Sequence, residues 1–237
     1  GSFHFSPGVD LAWEHNDNVF YLPEDELDDD ILHVRPWANL VSDWNRHSLN
    51  VSATADFANY RDYGANDYDD WVTQLDGRID VRRDDWISYD AQWMHLHEDR
   101  RNPDARFGVE PTTFDYGGYG LGYDHVFNRL KLGAYYAHNF FDYDNNRTID
   151  GDVIDNQDRD RESDRLTLRG DWQIGAESAI FASWGINSID YDQPLDDNGF
   201  HRDSDGQSVA VGMSWDMTDL LTGDAFVGWS RQDYDDP

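Results

Sequence analysis

Arg129–Asp144, RLKLGAYYAHNFFDYD, is the stretch that decides the fold. Read in alternation, Leu130, Leu132, Ala134, Tyr136, His138 and Phe140 fall on one side. Lys131, Gly133, Tyr135, Ala137, Asn139 and Phe141 fall on the other. Successive strand side chains point to opposite faces, so a period of two separates two environments. The alternation runs for at least twelve residues, where an ordinary strand has about five or six. One face is apolar and ends in aromatics, and the other mixes Lys, Gly, Tyr and Asn. That pattern fits a transmembrane β-strand, about 9–11 residues with lipid on one side and a wet lumen on the other. On this stretch alone, a long strand of a soluble sandwich or barrel fits equally well.

The pattern repeats outward in both directions. Leu49, Val51, Ala53, Ala55 and Phe57 alternate with Asn50, Ser52, Thr54, Asp56 and Ala58, the cleanest case in the chain. Trp71 to Val81 and Leu166 to Ile174 have an apolar row opposite one of Arg, Asp and Gln. Pro36 interrupts a similar row, which suits an edge or an early strand because Pro has no ladder donor. Gly118, Gly120 and Gly122 leave one face of the 113–126 strand nearly bare, as if a channel or another element needed the room. Connections near 43–46, 83–85, 127–129, 175–178 and 217–223 are short. Those near 21–30, 60–70, 97–112, 142–164 and 191–207 are long, and the two kinds alternate. A meander sends alternate connections to opposite ends, and outer-membrane barrels have short periplasmic turns and long extracellular loops. The expected fold is all-β, an antiparallel up-and-down transmembrane β-barrel (a meander) with about 11 long strands.

Composition is compatible with this. Formal charge is −31 and only 38% of residues are hydrophobic, which excludes a helical membrane protein but not a barrel, where every second residue faces lipid. Trp and Tyr, ten and thirteen of them, favour bilayer interfaces. The chain has no cysteine, so disulfides and thiolate metal sites drop out. Asp supplies 42 of the 49 acidic residues and Arg 17 of the 18 basic ones. So much Asp predicts many polar connections, and so negative a field argues against nucleic acid as a partner.

The 5–18 segment FSPGVDLAWEHNDN and the 28–60 segment DDDILHVRPWANLVSDWNRHSLNVSATADFANY resemble the β-barrel porin family found beside exopolysaccharide genes. Arg46-His47, Tyr60 to Tyr68, Glu98 to Arg101, Glu110-Pro111-Thr112 and Asp142-Tyr143 are similar as well. The resemblance implies a bacterial outer-membrane location and conduction of a secreted polysaccharide, with no transport residue carried over. Its implied partners are outer-membrane lipid, a polysaccharide and periplasmic export components. An odd strand count and the ending Asp235-Asp236-Pro237 lead to a further expectation, since bacterial barrels have even counts and an open sheet leaves bare edges. Residues 1–237 then form one domain, the N-terminal part of a larger barrel.

The candidate lumen row contains Arg78, Arg82, Lys131, Arg165 and Arg169 with Asp56, Asp76, Asp80 and Asp171. Charge rings select permeants, while pairing across strands would only stiffen the wall. Trp37 and Tyr135 are candidates for stacking on sugar rings, with the Arg set attracting an acidic polymer. Asp142, Asp144 and Asn146 have the spacing of a calcium loop, but Arg147 stands where the sharp-turn Gly belongs. Adventitious Ca²⁺ in acidic loops is the one cofactor expected. His95 and His97 lack a third ligand for zinc. No phosphate loop or nucleophile motif is present, so a non-enzyme is expected. The alternative is a secreted all-β glycan-binding protein with calcium-binding acidic loops.

Overall fold

Each alternating segment is a strand in the computed structural model, which describes residues 2–102, 107–218 and 221–236. In chain order the strands are β1 (Ser2–Asn16), β2 (Asp29–Asp43), β3 (Ser48–Tyr60), β4 (Tyr68–Arg82), β5 (Asp85–His97), β6 (Thr113–Phe127) and β7 (Leu130–Tyr143). There follow β8 (Asn146–Arg147), β9 (Val153–Ile154), β10 (Arg161–Gln173), β11 (Ser178–Tyr191), β12 (Ser204–Thr218) and β13 (Leu221–Tyr234). All but β8 and β9 form one 11-stranded sheet in chain order. Every neighbouring pair in it is antiparallel. The short β8 and β9 pair as a small hairpin inside the connection that follows β7. The expected meander is what forms.

The long strands have 13 to 15 residues, more than the roughly 9–11 a tilted strand needs to cross hydrocarbon. Short connections at 83–84, 128–129 and 174–177 lie at one end, and the long ones, such as 144–160 and 192–203, at the other. The short turn expected near 217–223 includes 219–220, outside the described residues.

Register holds the two faces apart. Leu132 of β7 stands opposite Gly170 and Lys131 opposite Asp171, and the same parity continues from β1 to β13. Leu11, Trp13, Leu121, Val211, Val227 and Trp229 share the apolar face, each more than half exposed. Among the described residues only Val19, Ile31, Ala58, Ile154 and Phe181 are buried hydrophobics. A soluble sandwich would bury the apolar face against a second layer; this sheet turns it outward.

Pro36 leaves a gap in the β2–β3 ladder, whose pairs stop at Val34 and resume at Trp37. The β1–β2 ladder continues through it, with Pro36 opposite Val9. The room above the β6 glycines is used by a neighbour. Tyr135 of β7 lies across Gly120, and its hydroxyl donates to Asp90 Oδ1 on β5 at 2.7 Å. Any Cβ at Gly120 would collide with that hydroxyl. Replacing Gly120 with Leu is therefore expected to eject Tyr135 and cost roughly 1–3 kcal/mol. The midpoint of the heat-induced gel shift checks this, and an unchanged midpoint would show that the glycine is dispensable.

Candidate functional site

The polar face, facing the apolar one through the sheet, gathers the charged side chains. Most of its cations are already matched. Arg78 Nε donates to Asp80 Oδ1 at 2.7 Å and lies over Trp86, 4.2 Å from the ring centre. Arg169 Nη2 donates to Asp171 at 2.7 Å and covers Phe181 at 3.8 Å. Lys131 Nζ sits 3.1 Å from Asp124. Asp56 accepts from Arg35 Nε at 2.9 Å and lies 2.9 Å from His33 Nδ1. Asp76 accepts from Asn50 at 2.9 Å. Trp37 lies flat over Gly8, where no Cβ obstructs the indole. Arg165 shares this face by register with Ala137 and Asn187 and has no ion pair among the described residues.

Arg82 departs from the expected row. A bulge between Asp80 and Arg82 shifts the β4–β5 register and sets Arg82 opposite Asp85. Asp85 pairs with His125, which shares the apolar face with Tyr123. Arg82 therefore belongs to the outer side, 3.9 Å from Asp85 and largely exposed. An extra residue in one strand reverses parity locally, and no alternation rule signals it.

Sequence reasoning missed a second group. Phe114 and Tyr143 stack at 5.1 Å, and Tyr116 meets Phe141 at 4.6 Å. Arg161 lies 4.1 Å above Phe141 and 5.8 Å from Tyr191. The signal was present: Arg161, Ser163 and Arg165 extend the alternation of β10, but the run 158–165 (DRDRESDR) has the composition of a loop.

At the long-connection end, four connections send an arginine back to the one before or to the strand that follows it. Arg61 reaches Asp30 at 3.4 Å, Arg100 donates to Asn66 at 2.9 Å, and Arg159 holds Glu98 with both Nη atoms. Arg202 reaches Asp158 at 3.6 Å. Aspartates there are internal acceptors. Asp196 Oδ1 takes the N–H groups of Phe200 and Asn198, both at 2.9 Å, which holds its carboxyl below the usual range.

The candidate calcium ligands have other places in the fold. Asp142 is a β7 residue opposite Asp115, Asp144 accepts from the Thr113 hydroxyl at 2.6 Å, and the Asn146 amide donates to Glu110 O at 2.7 Å. Among the described residues no three His, Asp or Glu side chains converge on a metal position.

The model of the family described as "Putative beta-barrel porin 2" matches residues 1–237. The chain belongs to that family. A comparison with curated proteins finds no match. Among solved structures, a loop-deleted OmpT, an outer membrane protein of Vibrio cholerae, has a TM-score of 0.51 at 8% identity, covering 98% of this chain and 94% of that one. In-vitro folded OmpT of the same organism, in its trimer form, gives 0.47 at 11% identity, with 98% and 89% covered. CymD, a monoaromatic hydrocarbon channel, gives 0.40 at 8%, with 98% and 84% covered. At such identities only the fold is compared, and only the first score is high enough to support it. The porin family and this sheet place the protein in the bacterial outer membrane.

Two consequences can be measured. Glu98 is buried against Arg159, so Glu98→Ala strands a cation and is expected to weaken local closure by roughly 3 kcal/mol. Faster proteolytic nicking within 98–112 and 144–160 is the readout; an unchanged rate would remove the pair from the account. Asp160 lies in the second of these connections. Burial, with Asp142, Asp192 and Asp155 nearby, pushes its carboxyl up to about 6, against the Tyr143 N–H it accepts. Its folded value exceeds the unfolded one, about 3.9. Its contribution is therefore full below pH 4 and is lost as pH rises through 6. Nicking in 144–160 is expected to be slower at pH 5 than at pH 7.5, and Asp160→Asn to flatten the difference.

Proposed function

We propose that this porin-family protein is a channel whose polar face lines a pore for a hydrophilic solute, with a secreted polysaccharide as the favoured cargo. The observation that carries this is the separation of faces sustained over eleven strands. Tyr, Asn, Ser, Gln and Arg on the polar side offer hydrogen bonds without a catalytic constellation. The apolar side takes outer-membrane lipid as its partner. Short turns then face the periplasm, where export components would dock, and the long acidic connections face outward.

Polysaccharide cargo is favoured over ions alone because hydroxyl-bearing rings suit such a surface. Trp37 presents a flat indole over Gly8, while Tyr135 is tied down by Asp90 and serves as wall. Of the expected charge row, Arg78, Lys131 and Arg169 are matched by neighbouring aspartates and also serve as wall. No nucleophile is assigned, and the protein is read as a non-enzyme.

Two measurements separate the layers of this reading. Native protein in planar bilayers is expected to conduct ions; a silent bilayer from correctly folded protein would end the channel reading. Deleting the gene is expected to leave polymer in the periplasm, and undiminished secretion would end the polysaccharide reading while leaving the channel intact.

A further inference from the structure

The polar face is divided by charge along the sheet. By register, β1 to β5 contribute Asp10, Glu14, Asp56, Asp70, Asp76 and Asp90 to it. On β6, β7 and β10 to β13, the middle of the same face carries no carboxylate. Its acids, among them Asp124, Asp171 and Asp224, lie toward the short-connection end. Arg165 stands in that carboxylate-free region, and Arg161, the first residue of β10, stands on the same face at its long-connection border. Neither has a carboxylate partner among the described residues, although acidic residues outnumber basic ones 49 to 18 in the chain.

We infer that Arg161 and Arg165 form a binding subsite for a carboxylate-bearing saccharide, an inference that rests on the channel reading. Arg161 is held flat against Phe141 at 4.1 Å, and its Nη1 donates to the Arg159 carbonyl at 3.0 Å. Ring and carbonyl fix the guanidinium plane, and its other N–H groups have no acceptor among the described residues. A planar fork with free donors suits a carboxylate, which accepts two parallel bonds from it. Four residues along a strand place Arg165 about 13 Å from Arg161 at roughly 3.3 Å per residue. Two charges at that spacing address separate units of one polymer better than one small anion. Between and beside them stand Ser163, Asn139, Thr167 and Asn187, neutral groups that can hydrogen-bond sugar hydroxyls. The acidic β1 to β5 part of the same face repels an anion toward β10, since charges lining a low-dielectric cleft focus the field. Arg169, by contrast, is neutralised by Asp171, and the row predicted from alternation reduces to Arg165 with Arg161 added.

The test is calorimetric titration of the full-length, detergent-solubilised protein with an oligoglucuronate and with a neutral glucose oligomer of equal length. The acidic oligomer is expected to bind, more weakly as salt rises, and the neutral one far less. The double variant Arg161→Gln and Arg165→Gln should weaken binding by roughly tenfold or more, as loss of charged hydrogen bonds does. Arg161→Lys and Arg165→Lys, which keep the charge and lose the fork, should recover part of it. Arg129→Gln with Arg147→Gln makes the same charge change elsewhere and should leave binding within about twofold. A heat-shifted gel band shows that each variant is folded. Equal binding of the neutral oligomer, indifference to the Gln pair, or an equal loss in the control pair would overturn the subsite. So would inorganic phosphate competing as well as the uronate, which would leave a general anion site without saccharide selectivity. Uronate binding without conductance would sink the channel reading and spare the subsite; conductance without uronate binding would do the reverse.

Discussion

Everything in this molecule depends on backbone hydrogen bonding that pairs each strand between β1 and β13 with a neighbour on both sides. In hydrocarbon an unpaired N–H or C=O costs several kcal/mol, so a spanning strand must be paired along its length by its neighbours. Register is then fixed across the whole sheet, because a slip of one residue would turn every polar side chain into lipid. The pairing reflects this. Register shifts fall at Asp80/Arg82 and Asp216/Thr218, both beside short connections, where strands leave the region in which parity matters. Pro36, which has no N–H, sits at a gap in the ladder on one side only.

Within that frame the polar face matches its charges both along single strands and between neighbouring ones. Arg78 with Asp80 and Arg169 with Asp171 are separated by two residues, as are Arg231 and Asp233 at the end of the apolar face of β13. Residues two apart on a strand share a face, and the long Arg side chain reaches a short Asp beside it. Such pairs stiffen the wall and cancel its field locally, and each is worth little in stability because water surrounds it. Pairing across strands is as frequent there, in Lys131 with Asp124 and Arg35 with Asp56. A cation without this arrangement stands out, and that gives Arg161 and Arg165 their meaning.

How much was legible in the sequence follows from range. Alternation is a local signal, so the strands, their order and the two faces could be read from residues such as Leu130 to Phe141. The site depended on events that alternation does not encode. The Arg82 bulge needs the partner strand to define it. Glu98 and Arg159 are 61 residues apart and meet only when the connections pack. β10 begins at Arg161 because Tyr191 and Phe141 flank it on either side, while its own composition reads as loop. The Asp142, Asp144 and Asn146 spacing is a local pattern that the folded chain uses for ordinary hydrogen bonds.

The acidity of the chain has a structural reading in the same terms. Where β3, β5, β7 and β11 leave the ladder, their last residues are Tyr60, His97, Tyr143 and Tyr191. Each has a backbone N–H taken by an aspartate: Asp67 at 2.7 Å, Asp70 at 2.9 Å, Asp160 at 2.6 Å and Asp203 at 2.7 Å. Asp67, Asp160 and Asp203 each stand immediately before the returning strand. The carboxylate thus replaces the ladder acceptor that the departing strand has lost, and it does so at the point where a long connection closes. Asn could supply the same acceptor, but a carboxylate makes the stronger, charge-assisted bond. A chain that closes its long connections this way accumulates Asp at one end of the sheet. The negative charge is then partly a by-product of ending strands cleanly, and the arginines reaching back between connections offset some of the repulsion it creates.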